Sequence, residues 1–154
     1  MLVDGEHVVV TEETVVVLLR EGFASGLSIL LYVVRESRDV SVKMAEYEDD
    51  HIRSEVDVEP ELVSESIVTL HSYGSLFYAS AQYFEQQLPH PTEQTRNTVV
   101  ILNLRGQRDL DTTTVDMLTD YAQKLQAHDC RLMLAEVEQS ARAVLNSANV
   151  PSIA

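Results

Sequence analysis

The chain has 154 residues, of which 45% are apolar and 23% charged, a composition that fits one globular domain and excludes a disordered polymer. Its formal net charge of −14 repels phosphate backbones and anionic membrane surfaces, so nucleic-acid and lipid-surface binding are disfavoured. The lone Cys130 excludes an internal disulfide, and the acidic start (Asp4, Glu6, Glu12, Glu13) lacks the basic residues that open a secretory signal, so the cytoplasm is the expected location.

The first 36 residues form a segment of their own. Val15 to Val34 reads VVVLLREGFASGLSILLYVV, about the 20 residues that a membrane-spanning helix needs. Arg20 and Glu21 sit inside it, and two charges at that depth cost several kcal/mol, so no stable span is expected. Gly22 and Gly26 have the G-x-x-x-G spacing of close-packed membrane helices. The segment reads as a soluble helix that looks like part of a membrane helix which no longer spans. From 37 to 63 an acidic stretch with Pro60 reads as a solvated linker. Val40, Val42 and Met44 alternate with polar residues there, which predicts one short strand.

Regular structure is densest from 64 to 154. Ser66–Leu70 reads as a strand, Tyr73-Gly74 as a turn and Leu76–Tyr78 as a second short strand. Ala79–Leu88 reads as a helix stopped by Pro89 and Pro91. Thr98–Leu104 is a nearly continuous apolar run, the pattern of a strand covered on both faces. Val115, Leu118, Ala122 and Leu125 place one apolar stripe on a helix over 111–126. Cys130–Ala135 reads as another buried strand and Ser140–Ala148 as a last helix. Strands alternating with helices predict an α/β fold, a mixed but largely parallel sheet with right-handed crossovers.

The segment richest in chemistry is Gln107 to Asp116, which leaves a buried strand and opens a helix. Asp111 or one of Thr112, Thr113 and Thr114 can cap the free N–H groups there, and Thr113 with Asp116 has the spacing of a capping box. Helix capping alone accounts for these residues. The functional alternative is a hydroxyl that is phosphorylated, or an anion or nucleotide held at the positive helix end with Arg105 and Arg108.

Catalytic arrangements are not found. His7, His51, His71, His90 and His128 show no metal-ligand spacing, and there is no nucleophile elbow or glycine-rich phosphate loop. Cys130 reads as a small core residue. Glu136 and Glu138 follow a strand end, where α/β folds bind ligands, but two carboxylates do not make a site. No enzyme, cofactor or metal is expected. Tyr73, Leu76, Phe77, Tyr78, Tyr83 and Phe84 concentrate aromatic and apolar side chains. Core packing explains them, or else Leu76, Phe77 and Tyr78 form a docking patch.

A strand followed by Asp111 and hydroxyl residues that begin a helix resembles the Asp-Ser-Ser-Gly switch of STAS domains. These occur in anti-sigma-factor antagonists and as cytoplasmic tails of SulP-type (sulfate permease family) anion transporters. LLYVVRESRDV (30–40) looks like the exit from a last membrane helix. YGSLFYASAQYFEQQLP (73–89) resembles the family's first strand and helix. TVVILNLRGQRDLDTTTVDMLTDYAQKL (98–125) resembles its central strand, switch loop and second helix, and RLMLAEV (131–137) its next strand.

Three departures accompany the likeness. Thr114 stands where the family has glycine, Thr113 stands where the antagonists have the phosphorylatable serine, and most family members continue beyond the equivalent of Ala154 into a final strand and helix. With no transport helices in the sequence, the chain by itself is not expected to move an anion. The resemblance implies a non-catalytic regulatory domain at the inner face of the membrane. Its partner would be a transporter membrane domain, a regulatory protein or a second copy. The alternatives are a freestanding phospho-switch, a nucleotide-binding module, and the remnant of a disrupted permease.

Overall fold

The computed structural model describes residues 24–48, 51–148 and 150. It divides into two compact units, residues 1–35 and 36–154. Helix α1 (Ala24–Arg38) runs through the division. More than half of the apolar stretch that begins at Val15 is thus helical, while residues 15–23, Arg20, Glu21 and Gly22 among them, lie outside the described residues. Among the described residues no helix is long and apolar enough to cross a membrane.

The second unit is a mixed α/β layer. Strands β1 (Ser41–Glu48), β2 (His51–Asp57), β3 (Ile67–Tyr73), β4 (Val99–Asn103) and β5 (Arg131–Ala135) form one five-stranded sheet in the order β2-β1-β3-β4-β5. Helices α2 (Ala81–Glu85), α3 (Thr112–Gln126) and α4 (Gln139–Ser147) connect or follow the last three strands. β3, β4 and β5 are parallel to one another, as the strand–helix alternation predicts, whereas β1 is antiparallel to both neighbours. Side chains in a strand alternate between faces. Leu70, Val100, Leu102, Leu132 and Leu134 accordingly point to one side and are buried, with Val115, Leu118, Ala122 and Leu125 of α3 in the same core.

Several expectations are corrected here. The acidic stretch 37–63 holds two strands, and they form a hairpin that completes the sheet. Two of its cross-strand pairs are polar, Lys43 with Asp57 and Glu46 with Ser54, beside the apolar pair of Met44 and Val56, so periodicity of apolar residues understates it. Leu76–Tyr78 is not a strand. It is a turn that drops Leu76 into the core, and the helix after it is regular only over Ala81–Glu85. Thr98–Leu104 does not form a strand sealed on both faces, because Val99, Ile101 and Asn103 are only half-buried.

Candidate functional site

The loops that follow β3, β4 and β5 meet at one edge of the sheet, where α/β folds bind their ligands. A buried amide fixes two of them. Gln107 Nε2 donates to Gly74 O at 2.7 Å, and its Oε1 accepts from Leu76 N–H at 3.1 Å. The turn after β3 needs a glycine: Gly74 has φ of 78°, and a Cβ there would lie 2.7 Å from the backbone oxygen of Asp39. Asn103 joins the other two loops. Its Oδ1 accepts from Arg105 N–H at 2.9 Å and its Nδ2 donates to Glu136 Oε1 at 2.7 Å. Ser140 Oγ adds a bond to Arg108 O at 2.6 Å. Sequence reasoning misses Gln107 and Asn103. Their signal is that two amides bracket the end of an apolar strand, since a polar group in such a place must find partners.

Asp111 is the N-cap of α3, and its carboxylate accepts from Thr114 N–H at 2.8 Å. That settles the capping alternatives in favour of Asp111. Asp116 lies within the helix and is exposed, so Thr113 and Asp116 make no capping box. The threonines separate sharply. Thr112 and Thr113 are both exposed, whereas Thr114 is fully buried and its Oγ1 has no hydrogen-bond partner.

Both candidate anion contacts face carboxylates. Arg105 Nε lies 3.7 Å from Glu136 Oε2, and Arg108 Nε lies 3.8 Å from Glu138 Oε1. With Asp109 and Asp111 beside them in the chain, the loops present more negative than positive charge, which opposes anion binding at this edge. The apolar candidates also divide. Leu76 is buried in the core, Phe77 is half-buried, and Tyr78 is exposed with its ring edge-on to Phe77 at 5.8 Å. Cys130 is buried. Among the described residues no three His, Cys, Asp or Glu side chains cluster as a metal site.

A mixed sheet in which β4, the middle of its three parallel strands, runs through a tied loop into an aspartate-capped helix is the arrangement the sequence likeness leads one to expect. The STAS domain family model matches residues 61–153, well over half of the chain. The chain belongs to the STAS domain family. Among solved structures it is similar to the murine Solute Carrier 26 family member A9 anion transporter in the inward-facing state, with a TM-score of 0.58 and 15% identity. That alignment covers 79% of this chain and 20% of the transporter, so the likeness is one of fold and spans about a fifth of the larger protein. No curated protein sequence matches the chain.

Proposed function

We propose that the chain is a non-catalytic STAS regulatory domain that acts by contact with a SulP-type anion transporter at the inner face of the membrane. The observation that carries this reading is the fold likeness to the cited anion transporter together with the family match. The loop edge is built for shape and not for turnover. Its amides and carboxylates are tied to one another, and among the described residues it offers no nucleophile–base pair. The contact surface is the loop edge with Tyr78, which stands 63% exposed above the buried Leu76.

The test is direct. A SulP-type transporter from the same source, with its own STAS tail removed, is reconstituted in vesicles and the full chain is added. Binding together with a changed anion flux is expected. No binding and an unchanged flux would remove the transporter from the proposal.

A second reading is favoured by one observation, the accessibility of Thr112 and Thr113 at the start of α3. Phosphate on either hydroxyl would add about −1.5 to −2 charges at pH 7 beside Asp109, Asp111 and Asp116, and so would alter partner binding by repulsion. Incubation with cellular kinases decides it, since an absence of label on both residues leaves only the constitutive contact.

A further inference from the structure

The outer edge of β1 changes character along its length. β2 pairs with β1 from Lys43 onward, where Lys43 faces Asp57. Before that point the edge is closed by a side chain. Gln87 Oε1 accepts from Val42 N–H at 3.0 Å, and Gln87 Nε2 donates to Val40 O at 3.1 Å. A carboxamide offers the same acceptor and donor as a peptide group. Gln87 therefore stands where a further strand would pair. A cleft of about 360 Å³ opens beside it, walled by Val58, Pro60 and Leu88 and lined also by His90 and the Lys43–Asp57 ion pair. That volume is at the small end of ligand pockets, which run from about 300 to 1,000 Å³.

We propose that this cleft receives an extended segment of a partner protein, which pairs with β1 at Val40–Val42 and displaces the Gln87 carboxamide. The occupant follows from the groups on offer. A backbone donor and acceptor on a strand edge are answered by another extended backbone, the mode in which main-chain bonds give affinity and side-chain pockets give selectivity. A helix keeps its own backbone groups paired and has little to offer them. An apolar residue of the segment rests on Val58, Pro60 and Leu88. A polar residue of the segment can reach Lys43, whose ammonium meets Asp57 at 2.6 Å, so the cleft is close to neutral in a chain of net charge −14. One side chain opens the site: Gln87 makes two bonds to β1 and donates a third to Tyr83 O of its own helical segment at 3.0 Å, which it can keep as it swings away. The proposal does not rest on the transporter reading.

The probe is the capped peptide acetyl-Val-Glu-Leu-Val-N-methylamide, titrated into the ¹⁵N-labelled full chain while the Val42 and Leu88 amide resonances are followed. Shifts at both are expected, with binding about tenfold tighter to Gln87→Ala, in which the internal competitor is gone. Gln87→Glu serves if the alanine variant does not fold. Its carboxylate keeps the bond from Val42 N–H and loses the one to Val40 O, so it too should bind more tightly than the native chain. A peptide with proline in place of leucine lacks the needed donor and should lose most of the affinity. Unmoved Val42 and Leu88 resonances in the native chain and in the folded variant at millimolar peptide would overturn the proposal. Equal binding of the proline peptide would overturn it as well.

Discussion

In β3, β4 and β5 the inward residues are Leu70, Val100, Leu102, Leu132 and Leu134, each at 2% exposure or less. The β1–β2 hairpin has one apolar pair, Met44 with Val56, and otherwise meets largely through polar groups, Lys43 with Asp57 and Glu46 with Ser54, and from β3 His71 and Tyr73 both reach Glu55. Burial of apolar area contributes about 25 cal/mol per Å² and is not screened by salt as charge pairs are. Exposed ion pairs contribute about 0–1 kcal/mol and fade with salt. One sheet thus combines a half that is set by packing with an edge that responds to its solvent. An edge of this kind suits an interaction module, since charged side chains discourage indiscriminate strand pairing while leaving the backbone accessible.

The sharpest way to break the contrast is to remove side chains from each half. Leu102→Ala, at the fully buried centre of β4, should cost about 2–5 kcal/mol in urea unfolding. Val56→Ala in the edge strand, where Val56 is half-buried, should cost about 1 kcal/mol or less. Equal losses would mean that the hairpin is held by packing after all.

Glycine replacements come next. Gly74→Ala pushes a Cβ against backbone at 2.7 Å in a left-handed conformation, whereas Gly106, with φ of 82°, has nothing within 4 Å of its Cβ position. Thermal unfolding should show a loss of about 2 kcal/mol or more at Gly74 and about 1 kcal/mol at Gly106. A smaller loss at Gly74 than at Gly106 would contradict the close approach to Asp39. Smaller again, Asp111→Ala removes the cap of α3 and should cost about 1 kcal/mol. A change within error would show that the free N–H groups are satisfied by other means.

The smallest effect concerns pH and is confined to the hairpin. The hydroxyl of Tyr73 holds the Glu55 carboxyl below its ordinary range, with His71 and Lys43 adding to the shift and burial opposing it. The bond to Glu55 in turn raises Tyr73, helped by burial and by the carboxylate charge. A lowered carboxylate contributes stability above its unfolded pKa, and that contribution is lost as pH falls through the folded value. A raised phenol contributes below its unfolded pKa, and its contribution is lost as pH rises through the folded value. The advantage of the native chain over Tyr73→Phe should therefore hold at neutral pH and shrink at both extremes. A difference that stays constant from acid to neutral pH would show that the bond to Glu55 adds nothing.

Most of the parallel half is legible in the amino-acid sequence. The 111–126 stripe, the apolar run from Thr98 and the strand after Cys130 repeat their apolar residues at helix or strand period, and burial of those residues is what selects the period. The hairpin is legible only at Val40, Val42 and Met44. Along its second strand and the residue after it, the apolar alternation of Ile52, Val56 and Val58 is broken by Ser54, and the intervening Glu55 and Asp57 pair with side chains and not with a core. The turn at Leu76–Tyr78 misleads for a related reason. Its Leu76 is needed to fill the core beneath a tight loop, not to extend a sheet.

The site divides along the same line. Asp111 can be chosen as a cap from its position ahead of a helix, since capping is a local matter between a side chain and amides two or three residues on. Local sequence does not separate Thr112 and Thr113 from Thr114, because exposure depends on what packs over the helix. Nor does it show that Arg105 and Arg108 face Glu136 and Glu138, residues brought near only when β4 and β5 pair.

By itself, then, the sequence determined the α/β class, the run of elements from β3 to α4 apart from the turn at 76–78, and the family likeness, all of which rest on periodicity and short motifs within one stretch of chain. The tertiary structure alone decided that the acidic stretch completes the sheet, that Gln107 and Asn103 lock the loops, and that Gln87 closes the edge of β1. Each of these joins residues tens of positions apart, and polar groups choose such partners only once burial has brought them together.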